Sequence, residues 1–341
     1  MDLIDVLAAG GPVVVGGLGL AVASRLLGTS APPALVLARR LQPVGALVAV
    51  GALALPEGVV AGVAALPWSV VGLCGAAAGL SLLGEVVPGE ALRVGLVRWP
   101  LAVLTLAAAL CHLAVGSGWL VASCLGLRPF GMSHDAVRVV AVHLHYAGFG
   151  TAVLAATGLA CADWMASRVS LSVGSVTAAV GPPVVAVGLA TGWPLPQLGG
   201  SVLLTVAAWA VGFGTFLLAT STSASGAAPA TARGPVQALG RSLLVVSSLS
   251  SVVPMVLAVG WAVARHLAGP TLGTTDMAAA HGVLAAVGFV VVGLVGWLLA
   301  GISSPASGAA RPPGGWPPPG AALPAGRPAA PPGRGSRPLR R

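Results

Sequence analysis

The chain has 341 residues, of which 56% are hydrophobic and only 7% are charged. Soluble domains contain about 45–50% apolar and about 25% charged residues, so this composition excludes an ordinary soluble domain. Because lipid offers no hydrogen-bond partner to the backbone, each apolar segment must satisfy its own peptide groups as a helix. The composition therefore predicts an all-α, polytopic bundle of transmembrane helices, with the lipid bilayer as its main partner.

The net charge of +9 does not indicate a nucleic-acid-binding protein. The basic residues are all arginines, and they lie in short connections and in the C-terminal tail. A nucleic-acid interface would instead gather basic and aromatic residues on one groove. We therefore expect no nucleic-acid partner.

Nine apolar segments approach the length of about 20 residues that a helix needs to cross the hydrocarbon layer. We predict about nine spans, within a range of about eight to ten. The second is the shortest, because Pro56-Glu57-Gly58 interrupts it. The predicted spans cover residues 6–24, 42–56, 58–80, 99–119, 137–161, 171–190, 199–220, 240–264 and 278–301.

The arginines predict the orientation of the bundle. With nine spans, every arginine except Arg128, Arg138 and Arg265 falls on the same side of the membrane as the C-terminus. Since cytoplasmic loops carry the excess of basic residues, we predict an outer N-terminus and an inner C-terminus. The absence of lysine indicates a bacterial source, so the expected location is the bacterial inner or plasma membrane.

Two regions differ from the apolar spans. Residues 1–302 form the predicted transmembrane domain, and residues 303–341 are rich in Pro, Gly and Arg. Such a composition cannot form a core, which predicts a disordered cytoplasmic tail that either contacts anionic lipids or is simply solvated. Within the spans, Gly181-Pro182-Pro183 and Pro254 predict helix interruptions of the kind found in transporters or plain proline kinks.

The histidines are the candidate functional residues. In the predicted topology, His112, His143, His145 and His281 all lie in the outer part of the membrane. Ionisable groups at that depth usually face a bundle interior or a watery cavity, where imidazoles relay protons or bind metal or haem. Packing or interfacial hydrogen bonding is an equally weighted alternative.

Helix geometry divides these residues between two faces. Positions two apart on a helix point about 200° away from each other, so His143 and His145 are not expected to chelate one ion. Tyr146 is predicted to share the face of His143. The candidate polar site therefore consists of His143, His145, Tyr146, His281 and His112.

Two sequence segments resemble the YndJ-like family of bacterial membrane proteins. The first runs from Trp119 through Pro129-Phe-Gly131 to Val142-His143-Leu-His145-Tyr146-Ala-Gly148-Phe149, and the second is Met277-Ala-Ala-Ala-His281-Gly282-Val-Leu-Ala285-Ala-Val-Gly288-Phe289. This chain differs from the family pattern at Leu144, where phenylalanine is usual, and at Ala285, where asparagine is usual. The resemblance implies a multi-pass bacterial membrane protein, sometimes labelled a transporter, and it supplies no substrate.

Three functions remain open on the sequence. The first is a transporter for a small solute or ion, in which the histidines bind protons or a metal ion. The second is a haem- or metal-binding membrane protein with histidines as ligands, although no cofactor is required by the sequence. The third is a non-catalytic membrane component of a larger complex. No nucleotide-binding or hydrolase motif occurs, so we do not expect an enzyme.

Overall fold

The computed structural model describes residues 2–86, 98–162, 164–221, 234–267 and 272–301. Within these ranges there is no strand, and nine helices are long and apolar enough to cross a membrane. This result confirms the predicted fold class. The predicted tail 303–341 and most of the Ser/Ala/Gly-rich connection between the seventh and eighth helices lie outside the described residues. The helices are α1 (Leu3–Ser30), α2 (Pro33–Leu53), α3 (Val59–Gly84), α4 (Pro100–Cys124), α5 (His134–Cys161), α6 (Met165–Thr191), α7 (Pro194–Thr220), α8 (Pro235–His266) and α9 (Ala278–Ala300).

Helix α2 begins much earlier than the sequence predicted. It starts at Pro33 instead of residue 42 and continues through Pro43 in its interior. Proline is favoured in the first turn, where its missing N–H would have no partner. The predicted span began only after Arg39 and Arg40, because the prediction required an apolar run, but long arginine side chains lie along a helix while their charged ends reach water.

The two predicted interruptions have different outcomes. Helix α6 runs without a break through Pro182 and Pro183, so the prediction of an unwound segment there is wrong. Helix α8 is interrupted at Ser251, where one helical segment ends at Ser250 and the next begins at Val252. The cause is Pro254, because its ring nitrogen cannot donate a hydrogen bond to the carbonyl of Ser250 one turn earlier.

Ion pairs tie together the helix ends on one face of the bundle, called here the N-terminal face. Arg138, whose side chain is almost fully buried at the start of α5, binds the carboxylates of Asp2 and Asp5 at the start of α1. On the same face, Glu57 before α3 accepts a hydrogen bond of 2.9 Å from Arg128 after α4. These contacts fix the relative positions of α1, α3, α4 and α5 at this end.

Arginines at the opposite face satisfy helix C-termini. Arg25 donates a hydrogen bond of 2.8 Å to the carbonyl of Leu298 near the end of α9. Arg168 donates to the carbonyl of Ala162, and Arg241 approaches the carbonyls that end α7. The last carbonyls of a helix lack intrahelical partners and carry partial negative charge, so a guanidinium stabilises them.

Glycines allow α3 and α4 to pack backbone against backbone. A Cβ atom added at Gly79 would lie 2.9 Å from the carbonyl oxygen of Ala107, and one added at Gly72 would lie 2.4 Å from the hydroxyl of Ser117. Since lipid provides no hydrophobic force to bring helices together, close approach through small residues is a main source of helix association.

Replacing Gly79 by Ala should destabilise the bundle. The added methyl group meets backbone, which cannot move out of the way like a flexible side chain, so we expect a loss of about 1–3 kcal/mol. The measurement is the apparent melting temperature of the detergent-purified protein.

The matched control is Gly84→Ala in the same helix, where an added Cβ meets nothing within 4 Å. Alanine is the better helix former by about 1 kcal/mol, so this variant should melt no lower than the wild type. Equal melting of the two variants would contradict the packing argument.

The pH dependence of the α1–α5 contact follows from Asp2. The hydrogen bond and charge of Arg138 lower the pKa of the Asp2 carboxyl below its usual value of 3.8. A group with a lowered pKa in the folded state stabilises that state above its unfolded pKa and loses this effect as the pH falls through the folded pKa. Asp2→Asn should therefore melt a few degrees below the wild type at pH 7 and equally with it once the pH is well below 3.8.

The control for this comparison is Asp276→Asn. Asp276 lies on the same face and is exposed, with no ion pair in the part of the chain that the structure describes. If the difference in melting temperature between the wild type and Asp2→Asn does not shrink at low pH, the contact acts through shape and not through charge.

Candidate functional site

A cavity lies among α1, α5, α6, α7, α8 and α9, and it has two lobes. The deep lobe has a volume of about 110 Å³ and is lined by Thr151, Met255 and Phe289, among others. The upper lobe has a volume of about 130 Å³ and extends to Gln197 and Met277, near the N-terminal face. The two lobes share part of their lining, namely Val142, His143, Val185, Ser201, Ala258, His281 and Gly282.

His143 and His281 are the two imidazoles at the junction of the two lobes, where Ser201 is a further polar side chain whose hydroxyl donates to the carbonyl of Gln197. The Nδ1 atom of His143 lies 3.0 Å from the carbonyl oxygen of Val139, and that of His281 lies 2.8 Å from the carbonyl oxygen of Pro254. A carbonyl only accepts hydrogen bonds, so both Nδ1 atoms carry the proton. Neither Nε2 atom has a hydrogen bond within the described residues. Each imidazole therefore has an Nε2 lone pair that no described residue uses, on a side chain that lines the cavity.

Tyr146 lines the deep lobe with these two histidines. Its side chain lies with that of His143 on the face that the helical spacing predicted. The hydroxyl rests against Gly10 of α1, where an added Cβ would lie only 2.4 Å from the oxygen. Glycine at this position is what leaves room for the tyrosine.

His145 faces away from the cavity and is held by two partners. Its Nδ1 atom lies 2.7 Å from the carbonyl oxygen of Ala141, and the indole nitrogen of Trp68 donates a 3.0 Å hydrogen bond to its Nε2. Since an indole can only donate and a carbonyl only accept, the ring is the neutral Nδ1–H tautomer. Both nitrogens are occupied, so His145 joins α3 to α5 and is not available as a metal or haem ligand.

His112 also lies outside the cavity. Its ring packs against the backbone of Gly148, where an added Cβ would lie 3.0 Å from the histidine Cβ. Its Nδ1 atom is buried and makes no hydrogen bond of acceptable geometry to any described residue. Of the five predicted site residues, the structure thus brings His143, Tyr146 and His281 together and places His145 and His112 elsewhere.

Three helices depart from regular α-geometry beside the cavity. The segment Ala278–Gly282 of α9, which contains His281, is π-helical, and so are Gly11–Gly16 of α1, Leu144–Gly150 of α5 and Leu284–Val291 of α9. The last three meet at Gly150, where an added Cβ would lie 2.4 Å from Val290 and 3.2 Å from Val15. π-Helical turns insert an extra residue and often occur at functional sites. Here one such segment begins directly after His143 and another contains His281.

The two cavity imidazoles are the residues able to hold a metal ion. No group of three His, Cys, Asp or Glu side chains converges in the described part of the chain, and no carboxylate lines either lobe. Trp68, Met255 and Met277 were not among the residues predicted from the sequence. Met277 carried a local signal, since it precedes His281 by one helical turn, whereas Trp68 had none, being 77 residues from its partner.

Replacing Trp68 by Phe should destabilise the protein by about 1–3 kcal/mol, because it leaves the buried Nε2 acceptor of His145 without a donor. The control is Trp209→Phe, the same chemical change at a lipid-facing and half-exposed indole, which should have little effect. Comparing the apparent melting temperatures of the two variants in detergent measures the difference. A Trp68 variant as stable as the Trp209 variant would show that the indole–imidazole bond contributes nothing.

Comparisons with known proteins identify a family. The model of the YndJ-like proteins matches residues 6–289, which include every residue of the His143, Tyr146 and His281 cluster. Neither the curated proteins nor the solved structures give a match. The match covers most of the chain, and the chain therefore belongs to the YndJ-like family of proteins.

Proposed function

We propose that this protein transports a small solute or ion across the bacterial plasma membrane through the two-lobed cavity, with its N-terminus outside. The observation that carries the proposal is the pair of Nε2 lone pairs, supplied by two different helices, at the junction of the two lobes. Polar groups left without partners inside a membrane are costly and generally functional. The proposed activity is non-enzymatic.

The position of the histidine pair supports transport better than simple packing. Outside the cavity, His145 satisfies both nitrogens with Ala141 and Trp68, whereas His112 keeps a buried Nδ1 atom that makes no hydrogen bond to a described residue. His143 and His281 instead satisfy only Nδ1, and the walls around their Nε2 atoms are mostly apolar. A ligand entering the upper lobe meets both imidazoles before it reaches the deep lobe.

The distribution of charge supports the proposed orientation. The N-terminal face holds Asp2, Asp5 and Glu57 together with the arginines that pair with them. On the opposite face, Arg25 and Arg168 bind helix-terminal carbonyls. In the predicted topology most of the arginines of the sequence fall on that face, and such an excess of basic residues is typical of the cytoplasmic side.

The proposal is tested in proteoliposomes that contain the full chain and a trapped pH-sensitive dye. Proton movement is followed directly, and current on a solid-supported membrane is recorded on addition of small monovalent and divalent cations. His143→Ala and His281→Ala should each reduce the initial rate about tenfold or more, as loss of an interaction of about 1.5 kcal/mol or more predicts.

The matched control is His134→Ala, which removes an imidazole that pairs with Glu57 on the N-terminal face. This variant should retain the wild-type rate. The proposal is overturned if the wild-type rate equals that of empty liposomes for every ion. It is also overturned if both cavity variants retain the wild-type rate.

A further inference from the structure

The two cavity imidazoles are oriented as metal ligands are. In metal sites, a coordinating histidine almost always donates its second ring N–H to a backbone carbonyl, a carboxylate or water, which fixes the ring and its tautomer. His143 does this with Val139 of its own helix, and His281 does it with Pro254 of α8. The ring orientation is therefore set before any ligand arrives.

A thioether lies in each lobe beside this pair. Met255, whose side chain is 7% exposed, lines the deep lobe and directly follows Pro254, the residue that holds His281. Met277 lines the upper lobe and precedes His281 by one turn of α9. The chain has only five methionines, so two in one cavity is a notable share.

The donor set is soft and carries no charge. Thioethers and imidazoles suit Cu(I), whereas Mg²⁺ and Ca²⁺ require oxygen ligands. The cavity offers no carboxylate to neutralise a divalent ion. Because the cost of moving an ion into an apolar medium rises steeply with its charge, a monovalent cation is favoured over Zn²⁺.

We propose that His143 and His281, together with the thioether of Met277 or Met255, form a binding site for the soft monovalent cation Cu(I). This inference rests on the proposed function in treating Cu(I) as the transported ion. The ion binds the imidazoles and Met277 in the upper lobe, and the sulfur of Met255 then replaces that of Met277 as the ion enters the deep lobe. One metal–sulfur bond forms as another breaks, with no change of oxidation state.

The site is tested by anaerobic titration of the full chain in lipid nanodiscs with Cu(I), in competition with a chromophoric Cu(I) chelator. One Cu(I) per chain is expected. His143→Ala and His281→Ala should each weaken binding by at least about tenfold, the lower end of the effect of changes around metal ligands. X-ray absorption at the copper edge should show both nitrogen and sulfur neighbours.

The methionines are tested by replacements that keep the side-chain volume. Exchange of Met for Leu is well tolerated in packed interiors, so the double variant Met255→Leu/Met277→Leu should fold normally. It should lose the sulfur signal and bind Cu(I) more weakly. Met132→Leu is the control, since Met132 packs with Val137 and Leu144 in a separate cluster.

The outcomes separate the site from the transport function. The Cu(I) site is overturned if the wild type binds Cu(I) no more strongly than a His143→Ala/His281→Ala double variant. It is also overturned if sulfur scattering is unchanged in the double leucine variant. If flux of another ion depends on the histidines but the protein does not bind Cu(I), the Cu(I) site is overturned and the transport function is retained. Stoichiometric Cu(I) binding that depends on His143 and His281, in a protein that shows no flux, supports the site and removes transport.

Discussion

The hydrocarbon interior obliges every polar group in the bundle to find its partner within the protein. Most of the described polar side chains do so locally, and Thr105, Thr157 and Ser248 each donate a hydrogen bond to a carbonyl one turn earlier in their own helices. His145 goes further and satisfies both ring nitrogens across two helices. The Nε2 atoms of His143 and His281 have no such partner among the described residues, and unlike the unpaired Nδ1 atom of His112 they belong to side chains that line the cavity. Their location at the junction of two cavity lobes makes them the most informative groups in the molecule.

Helices that surround the cavity are also joined by contacts that lie outside it. An ion pair joins α1 to α5 at the N-terminal face, and Arg25 of α1 binds a carbonyl near the end of α9 at the other face. None of these contacts uses a cavity residue. The bundle therefore has no structural need for an unpaired imidazole, which strengthens the case that these two serve binding.

The sequence predicted the parts of this structure that depend on local composition. Hydropathy located all nine helices, and the spacing of His143 and Tyr146 placed them on one face. The start of α2 was missed because Arg39 and Arg40 interrupt the apolar run without interrupting the helix. The continuity of α6 was missed because proline within a packed bundle need not unwind a helix.

The composition of the cavity depends on contacts between residues that are distant in sequence, which local patterns do not encode. Trp68 removes His145 from the candidate ligands through a bond across 77 positions. The π-helical segments of α1, α5 and α9 rotate the residues that follow them, so a regular helical wheel does not describe their faces. The convergence of α5 and α9 on one cavity therefore required the three-dimensional structure.

The interruption of α8 at Ser251 has a mechanical consequence. The half-helix Val252–His266 begins at this joint, and the carbonyl oxygen of Pro254, within its first turn, holds the ring of His281. The joint and the imidazole are thus connected by a single hydrogen bond of 2.8 Å. Because Pro254 lies within one turn of this joint, the angle between the two halves of α8 sets the position of the carbonyl that orients the ring of His281.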